Sequence, residues 1–192
     1  MAAPKDPDAA AVDAFWSGFC AATGVSGRPV DVFCFGDSVT MADELADLVL
    51  AGTKRATAGA MVDHAEAGVV PGVGDHSVAV RGDGSPAAVL RTTEVRVGPL
   101  SSVDDAFAWD EGEGDRTRDG WVAGHQAYFR RWFAATGRPP DEDPELLFER
   151  FVVVWPPGRA PPAGAPSPPG RRSSPRTPAD RRRSSAGAAA GR

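Results

Sequence analysis

Apolar residues recur at helical spacing over residues 8–22, where Val12, Phe15, Trp16, Phe19 and Cys20 share one face. Gly24 and the run Gly27-Arg28-Pro29 close that helix. Val32-Phe33-Cys34-Phe35 is a short apolar run that reads as a strand, ended by Gly36-Asp37-Ser38. A second helix is predicted over residues 41–51, with Leu45, Leu48 and Val49 as its stripe and Gly52 where a C-terminal cap belongs. Residues 55–61 lead into strand, and the Gly- and Pro-rich residues 68–74 form a turn region. Residues 76–81 read as a strand, and Gly82-Asp83-Gly84-Ser85-Pro86 as a turn. A longer strand follows over 87–97, with Val89, Val95 and Val97 on one face and Leu90, Glu94 and Arg96 on the other. Residues 101–109 suggest a short helix capped by Ser101. The run from Asp110 to Asp115 is too acidic and glycine-rich to be core. The clearest helix covers 117–135, where Trp121, His125, Tyr128, Phe129, Trp132 and Phe133 line one face and Gly137 and Pro139 stop it. A last strand over 146–155 places Phe148, Val152 and Val154 on one side.

Strands therefore cluster between residues 30 and 98, with one more at the end and helices around them. This order has no regular βαβ alternation. It predicts an α+β domain built on a small, mostly antiparallel sheet or barrel. Three parts are expected: a flexible N-terminus over 1–10, a folded domain over 11–155, and a tail over 156–192. The tail holds nine prolines, five glycines and eight arginines, cannot bury enough apolar surface to order itself, and is expected to be disordered.

Charge sharpens that division. The formal net charge is −5; the tail, with eight arginines and one aspartate, carries +7, so residues 1–155 carry −12. An acidic body argues against high-affinity nucleic-acid binding driven by phosphate contacts. Cys20 and Cys34 form no CxxC pattern, so neither a disulfide framework nor a zinc site is expected and a reducing compartment is the default. No apolar run approaches the roughly 20 residues of a membrane span, and the N-terminus lacks an apolar signal core. A cytoplasmic protein without metal or cofactor is expected.

Lys54 is the most informative single residue. Of 21 basic residues only Lys5 and Lys54 are lysine, so the folded body keeps one. Lysine can lose its proton when desolvated, whereas arginine cannot. The plain alternative is a solvated cation at a helix end. Thr57 shares a face with Lys54 only on a helix or across a bend, and otherwise reads as an ordinary strand threonine. Glu111 or Glu113 could serve a site as a carboxylate, or simply cap the next helix. A calcium loop starting at Asp115 is rejected, because its twelfth position is Gln126 rather than a bidentate glutamate. His125 reads as a core histidine, and His64 and His76 do not join it at metal-ligand spacing.

Taken together, several segments resemble the ASCH-domain family. These are Phe35-Gly36-Asp37-Ser38, Ala42-Asp43-Glu44-Leu45 and Gly52-Thr53-Lys54-Arg55-Ala56-Thr57, then Pro71 with Gly74-Asp75 and Thr92-Thr93-Glu94-Val95. Glu111-Gly112-Glu113-Gly114-Asp115, followed by Trp121 and His125, continues the likeness. It covers about residues 12–155 and is strongest to a bacterial subgroup related to small N4-acetylcytidine amidohydrolases. The resemblance implies a PUA-like β-barrel with flanking helices and a cleft for a nucleoside or RNA. It implies a catalytic lysine, threonine and glutamate, which fall on Lys54, Thr57 and Glu111. Neutral Lys54 would act as the base and Glu111 would protonate the leaving amine, with Arg55, Glu113 and His125 binding substrate. An RNA- or nucleotide-binding module without turnover and a ribonuclease are the other activities the resemblance allows. One departure concerns substrate choice: many relatives carry arginine after the helix tryptophan, where this chain has Val122.

Overall fold

The computed structural model describes residues 2–157, so the tail, apart from its first two residues, lies outside the described residues. Helix α1 (Ala9–Thr23) starts where the Asp8 side chain accepts a hydrogen bond from the Ala11 amide, and it ends at Gly24. Next come β1 (Asp31–Cys34), α2 (Val39–Leu50), β2 (Ala56–Ala60) and a short α3 (Met61–Ala67). Then β3 (His76–Val80) and the long β4 (Pro86–Pro99) form a hairpin. A 3-10 turn (Leu100–Ser102) precedes α4 (Asp105–Glu111), α5 (Arg118–Thr136) and β5 (Glu145–Trp155).

The five strands form one curled half-barrel sheet in the order β1-β3-β4-β5-β2. Only the β1–β3 pair is parallel. The α+β, mostly antiparallel architecture expected from the strand spacing is the one observed.

Both faces of the sheet are covered. On one, Val12, Trp16 and Phe19 of α1 pack on Val78, Val80 and Val89. On the other, Leu45 and Val49 of α2 pack on Ala79, Ala88, Leu90 and Phe151. A third cluster joins Phe107 of α4 and Trp121, Phe129 and Phe133 of α5 to Ala56, Ala60, Leu146 and Phe148. Each fully buried Val, Leu or Phe among them contributes roughly 1.5–3 kcal/mol.

Several local expectations change. Val89 and Leu90 are both buried because helices cover both faces there, while Val97 is exposed. Register shifts at Val89/Leu90 and Thr92/Glu94 break the simple alternation read along β4. The strand expected over 55–61 is β2, and helix α3 follows it over residues for which, beyond Met61, no element was expected; it buries none of its residues, so it leaves no apolar stripe to read. The cap of α4 is Asp104, which accepts from the Phe107 amide, and not Ser101. Ahead of α1, Ala2, Lys5 and Asp8 make backbone hydrogen bonds to Val39, Gly82 and Gly84.

Candidate active site

The segment carrying Lys54 is fixed from three sides. As α2 ends, the Thr53 and Lys54 amides both donate to the Leu48 carbonyl. The Arg55 amide donates to Asp110 O at 2.7 Å, and Arg55 O accepts from the Phe151 amide at 2.9 Å. The chain is thereby pinned between the end of α4 and β5 before β2 begins at Ala56. Lys54 precedes the strand, so strand alternation does not separate it from Thr57, and both line one cleft.

Lys54 is 1% exposed, the most hidden basic side chain among the described residues. Its Nζ donates to Glu113 Oε1 at 2.5 Å and lies 5.3 Å from the centre of the Phe35 ring. Gly112 makes this approach possible. It sits at φ +74°, and a Cβ there would fall 2.6 Å from Thr53 O and 3.1 Å from Lys54 N. No other residue type fits between the two glutamates without moving the lysine segment.

Glu111 ends α4 and is buried, where the acidic run had been expected to lie outside the core. Its Oε2 accepts from Trp121 Nε1 at 2.6 Å and faces His125 Nε2 at 3.5 Å. His125 stacks on the Trp121 ring at 3.7 Å, and its Nδ1 lies 3.0 Å from the Trp121 carbonyl one helical turn back. That carbonyl can only accept, so Nδ1 carries a proton and Nε2 is left to the carboxylate. Burial pushes the Glu111 carboxyl upward, but the charges of Lys54 and His125 and the hydrogen bonds from His125 and Trp121 outweigh it. The net result lies below the ordinary glutamate range, so Glu111 is a carboxylate.

These groups form one wall of a cleft of about 710 Å³, within the size range of small-molecule sites. Of the residues expected at a site, Lys54, Thr57, Glu111, Glu113 and His125 all line it. Arg55 does not: its guanidinium turns to Asp110 at 2.6 Å, and Asp110 also takes Arg150 at 3.0 Å. The Arg55 Nη2 is held by that ion pair outside the cleft lining. The cleft also contains groups the sequence reading missed, among them Asp31, His64, Arg131 and Glu149. Glu149 had a visible signal. It alternates with Leu147 and Phe151, both buried, so an acid stands on a core-facing row. Burial pushes the Glu149 carboxyl up, opposed by a hydrogen bond from Thr92 and the charge of His64; the net is above the ordinary range.

Comparison with known proteins places these features in a wider set. Residues 31–155 match the ASCH domain family model. A crystal structure of a protein from Enterococcus faecalis V583 superposes with a TM-score of 0.69 at 30% identity, covering 76% of this chain and 88% of that one. The crystal structure of an ASCH domain from Lactobacillus crispatus JV V101 superposes with a TM-score of 0.67 at 28% identity, covering 76% of this chain and 94% of that one. No curated protein matches the sequence. Among the described residues, no helix is long and apolar enough to cross a membrane.

Proposed function

The chain belongs to the ASCH domain family, and from that premise we propose that its cleft hydrolyses an amide on an uncharged acylated nucleoside such as N4-acetylcytidine. The observation that carries this reading is a buried lysine, ion-paired to one glutamate and adjacent to a second, in the wall of a cleft large enough for a nucleoside. Such a cation, held in place and screened from water, is suited to meeting the negative charge that develops on an acyl oxygen during attack. Lys54 is fixed for that role by its ion pair with Glu113, which holds Nζ in the cleft wall. Thr57 lies in the same cleft with a hydroxyl able to orient the attacking water. Glu111, ionised and bonded to Trp121, fixes Lys54 and His125 rather than giving up a proton.

Charge distinguishes this reading from RNA binding or cleavage. Asp31, Asp63, Glu111, Glu113, Asp115 and Glu149 line the cleft, against Lys54 and Arg131 and two histidines. A lining of that sign repels phosphates. The test is to incubate the pure protein with N4-acetylcytidine and, separately, with an oligoribonucleotide carrying the same modified base. Release of cytidine and acetate from the nucleoside, with the oligonucleotide uncut and still acetylated, is the expected outcome. An unchanged nucleoside at high protein concentration contradicts the reading, and cut RNA would replace it with a ribonuclease.

A further inference from the structure

Amide hydrolysis needs a proton to leave water and reach the departing nitrogen, and both acids of the Lys54 wall are engaged with basic side chains. Glu111 is a carboxylate whose Oε2 is taken by Trp121 and faced by His125, and Glu113 is bound to Lys54. We propose that Glu149, on the sheet side of the cleft, is the proton shuttle of this site. The proposal rests on the hydrolase reading above.

Position is the first argument. Glu149 is the direct cross-strand partner of Thr57 in the β2–β5 pair. Directly opposed residues project to the same side with Cβ atoms about 5 Å apart. Both line the cleft, so the carboxyl stands beside the hydroxyl that orients the water.

Isolation is the second argument. Glu149 is 7% exposed and has no ion-pair partner among the described residues. Thr92 Oγ1 donates to its Oε1 at 2.6 Å, the one hydrogen bond its carboxyl makes among the described residues. That bond orients the carboxyl and leaves Oε2 for the cleft. A buried acid without a cation partner adds nothing to the packing, and leucine or phenylalanine would fill the row better. Burial also makes it a stronger base than an exposed glutamate, as a carrier of protons near neutral pH must be. His64 on α3, Asp31 on β1 and Asp75 ahead of β3 are the charged groups that act on it.

The steps balance within the site. The Glu149 carboxylate takes a proton from water as the water oxygen bonds to the acyl carbon. The carbonyl electron pair moves onto its oxygen, facing the Lys54 ammonium. Collapse re-forms the carbonyl and breaks the carbon–nitrogen bond, and the nitrogen takes the proton from Glu149. The products are the free amine and a carboxylic acid, which then ionises to release its proton, and Glu149 is again a carboxylate.

The test compares wild type, Glu149→Gln and Glu149→Asp on N4-acetylcytidine across pH. Gln keeps the shape and the Thr92 contact, so circular dichroism and thermal melting should be unchanged. Its kcat should fall about 100-fold or more while KM stays within about threefold. Asp should recover part of the rate. Because the shuttle starts as a carboxylate, the wild-type kcat/KM should rise with pH through a value above the ordinary glutamate range, and that limb should be absent from the residual activity of Glu149→Gln. A Gln variant within about threefold of the wild-type rate, or one that keeps the limb, overturns the shuttle while leaving the hydrolase reading standing. A wild type that turns over no acylated nucleoside overturns both.

Discussion

Glu111 and Glu149 are hidden from water to a similar degree, 1% and 7% exposed, yet their surroundings drive them in opposite directions. Around Glu111 are a lysine, a histidine and an indole N–H, and the acid is held as a carboxylate. Around Glu149, among the described residues, one threonine hydroxyl is within hydrogen-bond reach, and burial prevails. Desolvation alone therefore does not set the charge of an acid in this cleft; what decides it is whether a cation is packed against it. Two carboxyls driven apart in this way divide labour, one fixing charge and the other moving protons.

The comparison can be broken most severely at Lys54. Lys54→Met removes the ion-pair partner of Glu113 and the basic group that most lowers the Glu111 pKa, and should cost about 3–5 kcal/mol in urea denaturation at neutral pH. The sign with pH follows from linkage. In the wild type the depressed Glu111 pKa adds stability that is present above the unfolded value and is lost as pH falls through the folded value. Without Lys54, burial leads at Glu111 as it does at Glu149, and its ionisation opposes folding. The stability gap between wild type and variant should thus narrow as pH is lowered into the carboxylate range.

Gly112→Ala tests how the two glutamates reach the lysine. A positive φ and a Cβ 2.6 Å from Thr53 O should together cost about 1–3 kcal/mol, measured the same way, and weaken turnover by displacing Glu113. Thr92→Val acts on the other acid. It removes one hydrogen bond, about 1 kcal/mol, and also removes an influence that holds Glu149 down. The acid limb of kcat/KM should move to higher pH, since a raised group ionises later. Arg55→Ala should be the mildest, below about 1 kcal/mol because its ion pair is part-exposed. Activity close to wild type is expected, which separates Arg55 from the cleft residues.

The local half of this site was legible along the chain. Helices α1, α2 and α5 carry apolar stripes and glycine stops, and the lone lysine in the folded body stands out among arginines. Glu111-Gly112-Glu113 was readable as a motif, and the structure supplies its reason, a glycine that lets this run pass closely against Thr53 and Lys54 while Glu113 reaches the amine. The other half was hidden because it depends on pairing between distant strands. Nothing near Thr57 in sequence points to Glu149; only the β2–β5 register brings them together. The burial of Glu111 was missed for a related reason. An acidic, glycine-rich run looks solvated until the lysine that pairs with Glu113 and the indole that donates to Glu111 are seen beside it. Helix α3 lacks an apolar face, so periodicity could not reveal it.

The most direct measurement is a progress curve of N4-acetylcytidine deacetylation by the wild-type protein and by Lys54→Met, with cytidine and acetate both quantified. A buried cation facing the acyl oxygen predicts equal amounts of the two products from the wild type and a rate lower by about 100–1,000-fold in the variant. A folded Lys54→Met that releases cytidine as fast as the wild type, or a wild type that releases none, would contradict the account.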